Sequence, residues 1–69
     1  MDLPGILGRN VREARKRRGV SQEQLALDAD MKRSYVSDLE RGTRNPSIKA
    51  IERLATALEV EPWSLLKGP

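Results

Sequence analysis

Between residues 32 and 41 the chain reads Lys-Arg-Ser-Tyr-Val-Ser-Asp-Leu-Glu-Arg, with polar members recurring at helical spacing. Val36 and Leu39 fall on one side, flanked by Tyr35, while Arg33, Ser34, Ser37, Asp38 and Arg41 fall on the other. Hydroxyls, a carboxylate and guanidinium groups make a face that can hydrogen-bond to a partner without burying much apolar surface. The chemistry on offer is recognition rather than bond-making. The chain has no Cys and no His, so it lacks a thiol nucleophile, the commonest general base, disulfides and the usual zinc ligands. An enzyme, a metal site and a cofactor are therefore not expected.

Charge points the same way without deciding the matter. Thirteen Lys and Arg against ten Asp and Glu give a net charge of +3, and Arg9, Arg12, Arg15, Lys16, Arg17 and Arg18 crowd into residues 9–18. That balance suits a polyanionic partner, but a charge-rich helix is commonly just a solvated face.

The polar face needs a scaffold, and 69 residues with 38% apolar and 3% aromatic content leave room for one small domain held by aliphatic packing. The pattern predicts an all-α fold of five helices in a single domain over 1–69, with its core at about 7–66. The first helix runs from about Gly5 to Arg18 on Leu7, Val11 and Ala14, with Gly19 as a left-handed stop. Ser21 caps the second, and Gln24, three residues on, can close a capping box; this helix ends near Ala29, where Asp30 can tolerate a left-handed turn. The third runs from about Lys32 to Arg41, and Gly42 stops it. Ser47 caps the fourth, whose stripe is Ile48, Ile51, Leu54, Ala55 and Leu58. Pro62 opens a short last helix holding Trp63, Leu65 and Leu66, and Gly68-Pro69 closes the chain. With no apolar run near the ~18–20 residues of a membrane span and no leader-like N-terminus, the expected home is the cytoplasm, with no membrane partner.

Two short helices joined by a turn of about three residues, the second with a polar outer face, describe a helix-turn-helix. An α-helix fits the major groove of duplex DNA, its N-terminal residues meeting base edges while nearby basic groups and helix N-termini hold phosphates. The segments Gly19-Val20-Ser21-Gln22-Glu23-Gln24-Leu25-Ala26, Arg33 through Gly42 and Asn45-Pro46-Ser47 resemble, in order and spacing, the lambda-repressor-like, Xre/Cro-type helix-turn-helix family. The resemblance spans roughly Leu7 to Leu66. Within the family, Arg33-Ser34-Tyr35 followed by Glu40-Arg41-Gly42-Thr43-Arg44-Asn45 looks most like the controller proteins of restriction-modification systems.

The resemblance implies a domain that binds operator DNA, commonly as a dimer, and assigns roles by position. Arg33, Ser34, Ser37 and Asp38 match the positions that face bases: Arg33 suits guanine O6 and N7, and Asp38 suits cytosine N4 or an orienting contact to Arg33. Gln22 matches the phosphate-binding position at the start of the second helix. Lys32, Tyr35, Arg41, Thr43, Arg44 and Asn45 match positions along the DNA backbone, Tyr35 being as well suited to packing. Arg15 and Glu40 correspond to a structural salt bridge between the first helix and the end of the third. Three positions depart from the pattern: Asp30 and Glu59 stand where Gly is usual, and Lys32 where a capping Ser or Thr is usual.

One such helix reads only about four to five base pairs, so a homodimer on a pseudo-palindrome with half-site centres ~34 Å apart is expected. Trp63, Leu65 and Leu66, with part of the fourth helix, are the expected dimer surface. With nothing following Pro69, no separate ligand or oligomerisation domain is expected. A dimer at its own promoter represses by blocking RNA polymerase or activates by touching it. Two alternatives stay open: an antitoxin-type regulator that also binds a toxin protein, and a helix-turn-helix domain used only for protein interaction.

Overall fold

The computed structural model describes residues 2–68. It contains four α-helices: α1 (Leu3–Arg18), α2 (Gln22–Ala29), α3 (Arg33–Glu40) and α4 (Ile48–Leu58). The fifth expected helix is a 3-10 helix, Pro62–Leu66, and no strand occurs among the described residues. Five residues opened by a proline sustain only i to i+3 bonding, such as Ser64 N–H to the Glu61 carbonyl at 3.0 Å.

Local chemistry sets the boundaries. The Ser21 hydroxyl accepts from Gln24 N–H at 3.0 Å and the Ser47 hydroxyl from Ala50 N–H at 3.1 Å, each satisfying an otherwise orphaned donor. The expected capping box does not form, because the Gln24 amide donates to Asp28 Oδ1 at 2.9 Å. Gly19 (φ 76°) ends α1 and Gly42 (φ 79°) follows α3. Asp30 (φ 57°) and Glu59 (φ 59°) take the left-handed conformation that glycine adopts more easily.

Leu7, Val11, Leu25, Val36, Leu39, Leu54, Leu58 and Leu65 form the core. Within α4, Ala50, Leu54, Ala55 and Leu58 are buried; Ile48, expected on the stripe, shares the side of Ala55 two turns on but opens the helix, where it is 80% exposed. The helices α1 and α3 cross at Gly8, where a Cβ would lie 2.3 Å from the Leu39 carbonyl oxygen and 2.9 Å from that of Glu40. This close crossing fixes where the C-terminal end of α3 sits.

The 3-10 helix corrects the expected dimer surface. Side chains three apart eclipse in this geometry, so Trp63 and Leu66 are exposed together while Leu65 turns inward to 1% exposure. The Asn10 amide fastens this segment to α1 by donating to the Leu65 carbonyl at 2.8 Å and to the Lys67 carbonyl at 3.0 Å. Leu65 is a core residue. Pro69 lies outside the described residues.

Candidate nucleic-acid interface

The outer face of α3 begins with Lys32, its N-cap residue, which makes no side-chain cap bond. Arg33 and Ser34 are exposed; Ser37 and Asp38 are half-buried. No ion pair or side-chain hydrogen bond to another protein group involves Arg33 among the described residues, so its five donors remain available.

Among the described residues Asp38 makes no bond to Arg33. Its carboxylate accepts from the Arg41 guanidinium, and Arg44 Nη2 lies 3.6 Å from its other oxygen. The Asp38 backbone carbonyl accepts from the Thr43 hydroxyl at 3.0 Å and from Thr43 N–H at 3.1 Å. Tyr35 packs against the core from a half-buried position, and the Arg44 guanidinium stands 5.1 Å from its ring centroid, within cation–π range. The loop carrying Arg41, Thr43, Arg44 and Asn45 is thus folded back onto α3, with Asn45 exposed beyond it.

A second network holds α3 from behind. Arg15 Nε donates to Glu40 Oε2 at 2.7 Å, Arg15 Nη2 to Oε1 at 3.2 Å, and Arg15 Nη1 to the Val20 carbonyl at 3.0 Å. The Gln22 amide also donates to Glu40, at 3.0 Å. Gln22, matched on the family pattern to phosphate binding, is therefore already engaged here, with one N–H and its carbonyl left over. The side chains of Arg15 and Glu40 are 13% and 4% exposed. The Glu40 hydrogen bond raises the Arg15 guanidinium above its usual value, opposed by partial burial and reinforced by the Glu40 charge. Together these contacts tie α1, α2 and α3 at the root of the polar face.

Beside α3, Lys32, Ser34, Tyr35, Arg44, Ser47 and Arg53 border a cleft of about 360 Å³ between α3 and α4. Arg53 reaches it from α4 and donates to the Asp30 carbonyl at 3.2 Å. Sequence reasoning missed Arg53 and used Ser47 only as a cap. The available signal was spacing: Arg53 follows the buried Ala50 by three positions, which brings it to the flank of α4 nearest the core. On another side, Leu3, Pro4, Pro46, Ile51 and Leu66 line an apolar groove of about 210 Å³, with Leu3 48% and Leu66 41% exposed. Among the described residues there is no cluster of three metal-ligating side chains and no helix long and apolar enough to cross a membrane.

Two helices at a short turn, the second exposing a polar face above a basic cleft, define a helix-turn-helix domain. Residues 11–62 match the helix-turn-helix family, and the chain belongs to it. It is 47% identical over 62 residues to the control protein C.BamHI of Bacillus amyloliquefaciens, covering 88% of this chain and 76% of that protein. The crystal structure of the restriction-modification controller protein C.AhdI from Aeromonas hydrophila is similar at a TM-score of 0.87 and 47% identity, covering 90% of this chain and 94% of that one. The hypothetical transcription factor NHTF from Neisseria gives a TM-score of 0.94 at 41% identity, covering 99% of this chain and 78% of the solved one. Of the Neisseria meningitidis sequence this chain spans 64%.

Proposed function

We propose that this DNA-binding transcription regulator is of the restriction-modification controller type and acts in the cytoplasm as a homodimer on a pseudo-palindromic operator. The observation that carries the reading is the α3 face, where Arg33 and Ser34 are exposed and Arg33 has no protein partner, beside a cleft bordered by Lys32, Arg44 and Arg53. In the major groove Arg33 donates to guanine O6 and N7, Ser34 bonds the neighbouring base edge, and Ser37 reaches the next turn. Phosphates of the flanking strand lie against Lys32, Arg44, Arg53 and the Tyr35 hydroxyl. Gln22, Arg41, Thr43 and Asn45 contact the backbone on either side.

The apolar groove at Leu3, Ile51 and Leu66, with the exposed Trp63, is the surface a second copy covers. Dimerisation doubles the few base pairs that one α3 reads. Selection from a random duplex library, with the winner titrated against salt, tests the reading. It is supported by a palindromic winner with half-site centres ~34 Å apart and by log affinity falling by about 0.9 per log unit of salt for each phosphate contacted. Weak, uniform binding with no enriched sequence overturns it.

A further inference from the structure

We infer that Asp38 is a built-in counter-ion that holds down sequence-independent duplex binding: it occupies Arg41 and Arg44, so that phosphates must compete for them. The inference rests on the operator-binding reading above and adds a role that the match to base-facing positions does not contain. Asp38 bonds Arg41, lies 3.6 Å from Arg44, and is itself 29% exposed beside arginines that are 66% and 50% exposed. It therefore puts a solvent-accessible carboxylate on the surface offered to a polyanion. To seat a phosphate, either arginine must leave this carboxylate or bring it into the phosphate's field; both weaken binding.

Binding without sequence recognition draws almost wholly on phosphate contacts, so it bears the full weakening. Operator binding adds the base contacts of Arg33 and Ser34, which Asp38 does not touch. The penalty is common to both modes and leaves their ratio unchanged; it lowers the absolute affinity for non-operator duplex, while the base contacts keep the operator complex tight. Two features keep the arginine side in place independently of the carboxylate charge: Arg44 stands over Tyr35 at 5.1 Å, and Thr43 bonds the Asp38 backbone carbonyl.

The test is Asp38→Asn in the wild-type and Arg41→Gln/Arg44→Gln backgrounds, titrated against the selected operator and a scrambled duplex at several salt concentrations. Thermal melts accompany each protein. Scrambled-duplex affinity is expected to rise about tenfold with a steeper salt slope. Operator affinity should rise by a similar factor, the selected base preference should stay the same, and the gain should vanish in the doubly substituted background. Loss of preference at one base pair would make Asp38 a direct reader and overturn the inference. So would a gain that survives without Arg41 and Arg44, which is a plain charge effect, or an unchanged scrambled-duplex affinity. Should Asp38→Asn lower the melting temperature markedly, Asp38→Ser supplies the same comparison. If the wild-type protein enriches no operator, the regulator reading itself fails, a result distinct from every Asp38 outcome.

Discussion

Replacing Arg15 with Met removes the group that holds α1 to the end of α3 while keeping much of its aliphatic bulk. The Glu40 carboxylate, 4% exposed, then has only the Gln22 amide at 3.0 Å in place of three donors. Breaking a buried pair from one side costs about 3–5 kcal/mol; the residual 13% exposure of Arg15 argues for the lower part of that range. Loss of the Val20 carbonyl bond adds about 1 kcal/mol. We expect Arg15→Met to cost about 3–4 kcal/mol, or on the order of 15–25 °C in melting temperature for a chain this small. Glu40→Gln should cost less, about 2 kcal/mol, because the stranded arginine can turn toward solvent and keep Val20. The double variant should cost about 2 kcal/mol less than the sum of the singles. Urea unfolding followed by far-ultraviolet circular dichroism supplies all four corners of the cycle. Single costs under about 1 kcal/mol, the range of exposed pairs, or strict additivity would refute the claim that this network sets the position of α3.

Other perturbations probe separate parts of the account. Gly8→Ala should lower stability by about 2 kcal/mol in thermal melts despite alanine's better helix propensity, because its Cβ would meet the Leu39 and Glu40 carbonyl oxygens. Glu59→Gly should raise stability by about 0.5–1 kcal/mol by relieving the left-handed backbone at φ 59°, whereas Ser47→Ala should lower it by about 1 kcal/mol. Lys32→Ser should raise the melting temperature by capping α3 and weaken duplex binding at low salt; unaltered affinity would remove Lys32 from the backbone contacts. The raised Arg15 value means that its contribution is in full below the usual guanidinium range and is lost only as pH climbs through the raised value. The stability difference between wild type and Arg15→Met should therefore stay constant from about pH 7 to 10.

Much of the fold was legible because the chain punctuates itself. Gly19, Ser21, Gly42 and Ser47 each act through a local requirement, a positive φ or an unpaired helix donor, that a sequence reader can apply without knowing the tertiary structure. Where choice among partners depended on packing, the reading slipped. Ile48 has the right residue type and the right side of α4, since Ala55 two turns on is buried, but it opens the helix, and how far the core reaches toward that end is set by tertiary packing. Leu65 was separable from Trp63 and Leu66 only once the last element was known to be a 3-10 helix. At the interface, the short and basic side chains of α3 were visible from spacing alone. The partners of Asp38 were not, since they depend on a loop folding back over the helix. Arg53 was equally hidden: its bond to the Asp30 carbonyl joins residues 23 apart in sequence.

The central claim is that α3 lies in the major groove with Arg33 reading a base in each half-site. Selecting bound sequences from one random duplex library with wild type and with Arg33→Gln, side by side, tests it most directly. Glutamine pairs with adenine N6 and N7 where arginine pairs with guanine O6 and N7. The account expects one symmetric position per half-site to change from guanine to adenine, with spacing and all other positions retained. Identical winners from both proteins would contradict it.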